Sequence, residues 1–344
     1  MSMSPIVWID TRDHDAHDTG GWHPERAARL PAAAAALDDD RIAEAVHQTT
    51  GRPATRNELE RAHHGNYLDA LERQIQGGGG EIDADTHTSS GSWDTALWAA
   101  GSTLAAVETL EEGGARSAFV AVRPPGHHAT TNQAMGFCLV NNVAVAAAAL
   151  RSRGLRVAIF DWDVHHGNGT QDIFWNDPLV LYASIHQHPS YPGTGRAGEI
   201  GGPEARGHTI NIPLPAGAPG HVALASFDTI IGPEIDRFAP DWILVSAGYD
   251  AHRDDPLADL RWTAGDYHLL TKRVLELVPA GRTVFLLEGG YDLGALTRSV
   301  SGTLAALADL PFDAAAVDES PSSDGPGIEA VAIAARRRTE ALGA

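Results

Sequence analysis

The stretch RVAIFDWDVHHGNGTQDIF, residues 156–174, decides the fold and points to the chemistry. Residues 156–160 form a short apolar run, and such runs are typical of strands that are buried on both faces of a parallel sheet. Aspartates and histidines follow directly behind this run. Charged groups at the end of a buried strand are costly unless something binds them. We therefore expect an α/β sheet with a ligand site at this point.

Four more apolar runs have the same character, and they cover residues 117–122, 179–185, 242–246 and 283–287. Segments with helical spacing of apolar residues separate the runs, at 93–110, 142–151, 223–238, 263–277 and 293–307. Strands that alternate with helices predict the α/β class, with a mostly parallel central sheet flanked by helices. In such sheets ligands bind beyond the carboxyl ends of the strands, so we expect the active site there.

The composition limits the classes of function. The chain has 344 residues and a formal net charge of -20, which disfavours binding to nucleic acid or to anionic membrane surfaces. Cys138 is the single cysteine, so a disulfide framework is impossible and a reducing compartment is expected. No signal peptide is evident, and the longest apolar stretch, 143–150, is too short to span a membrane. These features predict a cytoplasmic protein.

The composition also changes near the C-terminus. Residues 1–312 carry the alternating pattern and are expected to form a single catalytic domain. Residues 313–344 begin with a segment marked by Pro, Ser and Gly, and they end in a possible short helix. We interpret this part as a polar linker with a helical tail rather than a second domain.

Four of the predicted strands end in unusual polar residues. They continue into RPPGHHA, DWDVHHGNG, SAGYDAH and LEGGY, in chain order. One such ending occurs by chance, but four together indicate a shared site. Asp161, Asp163 and His165 stand at positions i, i+2 and i+4, so in extended chain their side chains point the same way. Asp250 supplies a third acid from another strand end.

This donor set predicts a metal ion. Nitrogen and oxygen ligands without cysteine suit Zn²⁺, while Fe²⁺, Co²⁺ or Mn²⁺ could also occupy such a site. His127 and His128 follow two prolines that stiffen their loop, and one of them could act as a base for a metal-activated water. Gly289 and Gly290 let the backbone turn sharply, which would place the Tyr291 hydroxyl near a developing oxyanion. The pattern therefore favours hydrolysis.

Taken together, the motifs resemble the histone deacetylase superfamily, in particular its class II branch and the bacterial histone deacetylase-like amidohydrolases. The resemblance runs in order through GWHPERAARL, TSSGSW, RPPGHHA, MGFCLVNNVAVAA, DWDVHHGNGTQDIF, YPGTG, INIPLP, SAGYDAHRDDPL and LEGGYDL. It covers nearly everything except the C-terminal tail. It implies an arginase-deacetylase fold with one catalytic zinc ion.

The resemblance also assigns roles to the residues of the site. It implies that Asp163, His165 and Asp250 bind the zinc ion and that His127 and His128 are the tandem histidines, of which the second is the better candidate for the base. Asp161 would be the partner of His127. The partner of His128 falls on Asn168, where some relatives have an aspartate.

Further residues match the walls of the family's site. Tyr291 matches the oxyanion-stabilising tyrosine. The predicted acyl-lysine tunnel comprises Gly136, Phe137, Tyr191, Leu257, Gly289 and Gly290. A structural K⁺ ion is implied at Asp161, Asp163, His165, Ser184 and Ile185.

The implied substrate is N-acetyl-lysine in a protein or peptide, because DDPL places the apolar Leu257 where polyamine-specific relatives have a glutamate. An acetylated polyamine or another small-molecule amide is the alternative. Because bacterial relatives form homodimers and homotetramers, the resemblance implies one of these two states for this chain. The sequence does not decide between them. Three other classes of protein stay open. A binuclear arginase-like hydrolase would need more bridging acids. A module that binds acyl-lysine without cleaving it is expected to lack some of the ligands or the tyrosine, and the third class is a structural protein.

Overall fold

The central sheet has eight strands, and every neighbouring pair in it is parallel. The computed structural model describes residues 6–11, 14–317 and 319–343. Its strands are β1 (Ile6–Asp10), β2 (Val46–Thr50), β3 (Gly80–Glu81), β4 (His87–Thr88), β5 (Ser117–Ala121), β6 (Val157–Asp161), β7 (Val180–Gln187), β8 (Thr209–Leu214), β9 (Trp242–Ala247) and β10 (Thr283–Leu287). The sheet order is β2-β1-β5-β10-β9-β6-β7-β8, and β3 and β4 form a separate antiparallel pair.

Helices cover the sheet. They are α1 (Arg29–Ala34), α2 (Asp40–Ala45), α3 (Arg56–Leu59), α4 (Gly65–Gln76), α5 (Ser92–Glu111), α6 (Asn142–Arg151), α7 (Asn168–Phe174), α8 (Gly220–Ser226), α9 (Gly232–Phe238), α10 (Ala264–Leu275), α11 (Leu293–Leu307) and α12 (Ile328–Leu342). Among the described residues, no helix combines the length and apolarity needed to cross a membrane.

The core lies in two layers, one on each face of the sheet. Successive side chains of a strand point to opposite faces. Phe119 of β5 accordingly packs in one layer, whereas its neighbour Val120 packs in the other. Helices α1 and α11 cover the first layer, and α5 and α6 cover the second. The predicted fold class, a parallel sheet flanked by helices, is confirmed.

The C-terminal segment packs on this framework. The sequence predicts a short terminal helix, and the structure has α12 running for 15 residues. Val331 and Ala334 of α12 are buried in the core layer that also contains β8. The Arg338 guanidinium donates to the carbonyl oxygen of Thr209 at 2.7 Å, which ties the helix to the edge strand.

Candidate active site

The four strands with polar endings are neighbours in the sheet. Their order is β5-β10-β9-β6, so their carboxyl ends meet at one edge. The tandem histidines follow β5, Tyr291 follows β10, Asp250 follows β9, and Asp161 ends β6. The sequence predicts this meeting, because carboxyl ends of adjacent parallel strands lie together.

Asp163, His165 and Asp250 form the candidate metal site. Their ligand atoms lie within 4.8 Å of one another. The Nδ1 atom of His165 is 3.3 Å from Oδ1 of Asp163 and 3.2 Å from Oδ2 of Asp250. Ligand atoms about 2.0–2.1 Å from a tetrahedral ion lie about 3.3 Å apart, so the spacing fits one ion.

Backbone amides hold the remaining carboxylate oxygens. Gly289 N donates to Oδ2 of Asp163 at 2.8 Å, and Val164 N donates to Oδ1 of Asp250 at 2.9 Å. A Cβ atom at Gly289 would overlap both carboxylates, so this close approach requires glycine. Burial and the charge of Asp163 raise the pKa of Asp250 to about 7. Two buried carboxylates this close strongly favour a bound cation.

The tandem histidines have different partners. Nδ1 of His127 is 3.0 Å from Oδ2 of Asp161, whereas Nδ1 of His128 is 2.8 Å from Oδ1 of Asn168. Burial by itself lowers the pKa of His127. The negative charges of Asp161 and then of Asp163 outweigh this effect and raise the pKa to about 10. Burial and the charge of His127 hold the pKa of His128 well below its usual range. These shifts favour the charged form of His127 and the neutral form of His128.

Glu288 fixes the loop that carries both histidines, and the sequence analysis did not identify it. Its side chain is fully buried, and Oε2 accepts from Gly126 N at 2.7 Å and from His127 N at 3.2 Å. Oε1 accepts from the Ser246 hydroxyl at 3.1 Å. The acid within LEGGY was the available signal, since a charged residue directly behind a buried strand needs a partner.

Tyr291 follows β10 and is held from two sides. Its backbone N–H donates to Oδ2 of Asp255 at 2.6 Å. The Arg29 guanidinium lies 4.9 Å from the centre of the tyrosine ring and donates through Nε to Gly290 O at 2.7 Å. Burial raises the pKa of Tyr291 well above its usual range, so its hydroxyl keeps its proton. Neither Arg29 nor Asp255 was identified from the sequence.

A cavity of about 210 Å³ leads to these side chains. It is lined by Asp85, His128, Gly136, Phe137, His165, Tyr191, Leu257 and Tyr291. Four of the six predicted tunnel residues are in this lining. Gly289 and Gly290 are not; both are buried, and Gly289 N donates to Asp163 while Gly290 O accepts from Arg29. A Cβ atom at Gly136 would overlap the His128 ring, which explains the glycine beside the tunnel wall.

The rim of the cavity contains an acid that the sequence analysis missed. Asp85 lines the opening, and its carbonyl oxygen accepts from Nε2 of His23 at 3.0 Å. His23 also packs edge-on against Phe137, with ring centres 4.8 Å apart. His23 within GWHPERAARL thus ties the segment after β1 to Asp85 and Phe137.

Three of the residues expected to bind K⁺ lie on the adjacent strands β6 and β7, and Asp163 and His165 follow β6. Asp161 of β6 pairs in register with Ser184 of β7, and Ile185 is the next residue. Asp161 and Ser184 are both fully buried. The structure thus places Asp161 beside Ser184, and binding of K⁺ by the whole expected set stays a prediction.

Comparison with known proteins agrees with this geometry. Residues 23–307 match the model of the histone deacetylase domain. The chain is 39% identical over 310 residues to a probable deacetylase of Archaeoglobus fulgidus, covering 88% of this chain and 86% of the relative. It is 35% identical over 299 residues to a histone deacetylase-like amidohydrolase of Pseudomonas aeruginosa, covering 83% and 78%.

A solved structure shows the same architecture. The crystal structure of the HDA15 HD domain superposes with a TM-score of 0.88 at 32% identity, over 99% of this chain and 97% of that one. Fold, site and sequence thus agree, and the chain belongs to the histone deacetylase family, as its similarity to a probable deacetylase and a histone deacetylase-like amidohydrolase also indicates.

Proposed function

We propose that the protein is a zinc-dependent deacetylase that removes acetyl groups from N-acetyl-lysine side chains of proteins or peptides and releases acetate. One observation carries the proposal. Asp163, His165 and Asp250 group their ligand atoms within 4.8 Å of one another, and the ligand His165 lines one cavity of about 210 Å³ together with His128 and Tyr291. Phe137, Tyr191 and Leu257 in its lining offer apolar surface to the methylene chain of an acyl-lysine.

The proposed zinc ion suits the side chains of the candidate metal site. Asp163, His165 and Asp250 offer two oxygens and one nitrogen, a donor set that suits Zn²⁺ and also accommodates Fe²⁺ or Co²⁺. When bound there, the ion would polarise the amide carbonyl and acidify a water molecule. The buried carboxylates of the beta-strand ends supply the negative charge that attracts it.

His128 is the proposed base. Oδ1 of Asn168 only accepts hydrogen bonds, so Nδ1 of His128 carries the proton and Nε2 has the free lone pair. Nε2 takes a proton from the attacking water and later gives it to the amine nitrogen as the C–N bond breaks. His127, held as a cation by Asp161, contributes positive charge without exchanging a proton.

Tyr291 stabilises the reacting amide. As water adds to the carbonyl carbon, negative charge develops on the carbonyl oxygen, and the tyrosine hydroxyl donates to it. Because its pKa is well above the usual range, the hydroxyl remains a donor through neutral pH. Beneath the site, we propose that a structural K⁺ ion is bound by Asp161, Asp163, His165, Ser184 and Ile185.

A second candidate substrate is an acetylated polyamine, and one observation favours it. Asp85 at the rim could bind a second ammonium group of such a substrate. Against this, Leu257 at the same opening is 36% exposed and presents an apolar surface. We favour acetyl-lysine in a peptide, because the Asp85 carboxylate can also accept hydrogen bonds from the N–H groups of the peptide backbone.

The test compares three substrates: a fluorogenic N-acetyl-lysine peptide, N-acetylputrescine and N-acetylspermidine. We expect the peptide to have the highest kcat/KM, with activity lost after chelation and restored by Zn²⁺. If acetylated polyamines are the natural substrates, Asp85→Asn should lower kcat/KM for the polyamines far more than kcat/KM for the peptide. Activity that survives complete metal removal would refute the zinc mechanism, and higher kcat/KM for the polyamines would replace the substrate assignment.

A further inference from the structure

Glu319 connects the C-terminal segment to the active-site loop. It lies beyond residue 307, where the match to the family's domain ends, in the segment that the sequence marks as polar linker. Despite this, its side chain is only 1% exposed. A buried carboxylate in a linker requires partners, and their identity shows what the segment does.

Its partners surround the carboxylate completely. Oε2 accepts from Nε2 of His252 at 2.9 Å and from Ala264 N at 2.9 Å, and Oε1 accepts from Nε of Arg298 at 2.7 Å. The Glu319 carbonyl oxygen accepts from Gly265 N at 3.0 Å. Glu319 thus joins the segment to the start of α10, to α11 and to His252.

His252 is the partner that matters for the site. It is fully buried and stands two residues after the metal ligand Asp250. Its Nδ1 accepts from Asp254 N at 3.1 Å, so Nε2 carries the proton that Glu319 receives. The bond to Glu319 therefore fixes both the tautomer and the orientation of the ring.

The loop around His252, residues 250–257, supports three parts of the active site. It begins with the ligand Asp250 and ends with the rim residue Leu257. Asp255 between them donates its N–H to His252 O at 2.9 Å and accepts from Tyr291 N at 2.6 Å. A displacement of His252 would therefore move the metal ligand and the proposed oxyanion donor together.

A second metal ion does not explain this cluster. His252, Asp254 and Glu319 could be grouped as ligands by distance alone. However, the Arg298 guanidinium contacts both acids, at 2.7 Å to Glu319 and 2.6 Å to Asp254. It already supplies the positive charge, and a divalent ion would be repelled by it.

We infer that Glu319 is a positioning residue for the proposed deacetylase reaction, and that the C-terminal segment acts through it to fix the loop 250–257. This inference rests on the proposed function for its catalytic consequence. It assigns a role in the active site to a segment outside the matched family domain.

The test uses the full chain with Glu319→Gln, which keeps the side-chain size but removes the charge. The matched control is Arg338→Met, which removes another buried contact between the C-terminal segment and the sheet, far from loop 250–257 in sequence. We expect Glu319→Gln to lower kcat at least about tenfold with little change in KM, because small displacements of reacting groups cost rate steeply. Arg338→Met should lower the melting temperature and leave kcat unchanged.

A second readout does not depend on turnover. Co²⁺ bound to the apo-protein reports ligand geometry through its visible absorption, and we expect Glu319→Gln to change this spectrum or to weaken Co²⁺ binding. A folded Glu319→Gln protein with the wild-type kcat and spectrum would overturn the inference, as would equal loss of kcat in both variants. If the wild type fails to cleave acetyl-lysine while the Co²⁺ effect is present, only the proposed function is wrong.

Discussion

Asn168 makes the two histidines chemically unequal. The carboxylate of Asp161 stabilises a charged His127, whereas the neutral amide of Asn168 orients His128 without stabilising a charge. The adjacent rings are 4.1 Å apart between centres, so the charge on His127 further disfavours a proton on His128. Asn168 thus adds no negative charge that would offset the burial and the His127 charge that lower the pKa of His128.

Asn168→Asp should shift the pH dependence of catalysis. A carboxylate at this position would raise the pKa of His128. When the pH is lowered, a base with a higher pKa is protonated, and so inactivated, earlier, that is, at a higher pH. We expect the acidic limb of the kcat/KM profile to move to higher pH. The measurement is kcat/KM for an acetyl-lysine peptide at a series of pH values.

Asn132→Asp provides the matched control for charge. Asn132 lines the same surface groove as Asn168 but is exposed and bonds to Thr130 rather than to His128. Its substitution should leave the acidic limb in place. An unshifted limb in Asn168→Asp, or equal shifts in both variants, would contradict the role of Asn168.

Tyr291→Phe tests the oxyanion donor. Loss of one such donor typically lowers turnover by about 10²–10³-fold. We expect a decrease of this size in kcat with an unchanged fold, because the backbone N–H to Asp255 and the packing of Arg29 on the ring are retained. Steady-state kinetics and a thermal melt measure the two effects, and near-normal turnover would exclude the role.

The sequence predicts some of these residues better than others. Asp163 and His165 are two residues apart, so alternation in an extended chain predicts them on one side. β6 ends at Asp161 and the chain bends over residues 163–165, yet the two side chains still meet at the candidate metal site. Glu288 and Asp85 were not identified, because their importance depends on contacts with distant segments. Glu288, for example, binds Gly126, 162 positions earlier in the chain. No local pattern reports such a contact.

At the scale of the element, buried strands and capped helices are the features that the sequence predicts. β10 and the helices α6 and α11 have the predicted bounds. β2 has a mostly exposed pattern at the sheet edge, so its polar sequence VHQTT lacks the apolar run that marks a buried strand. The predicted helix at 223–238 begins earlier, at Gly220, and includes a π-helical turn at Phe227–Ile231.

The start of α10 offers a test of an element. Thr263 and Asp266 form a capping box, in which Thr263 N and its hydroxyl both donate to Oδ2 of Asp266, at 2.9 and 3.0 Å. We expect Thr263→Ala to lower the free energy of unfolding by about 1–2 kcal/mol. Urea denaturation measures this change. Thr339→Ala on the exposed face of α12 is the control and should change the free energy of unfolding by less than about 0.5 kcal/mol; equal effects would contradict the prediction.

At the scale of the molecule, the metal site joins β6 to β9 through ligands 85 residues apart. A ligand that binds only the folded state stabilises a protein by about 2.7 kcal/mol when the free ligand is present at 100 times its Kd. We therefore expect Zn²⁺ to raise the melting temperature of the apo-protein. Differential scanning calorimetry measures the shift, and Asp163→Asn should abolish most of it. An equal shift in that variant would place the stabilising ion elsewhere.

The order of the strands has a consequence for biosynthesis. β10 is the last strand to leave the ribosome, yet it occupies the middle of the sheet between β5 and β9. A nascent chain that ends before residue 242 has only two of the three ligands and a gap where both β9 and β10 belong. We therefore expect the proposed metal ion to bind in full coordination only after β9 has been synthesised, when Asp250 joins the other two ligands.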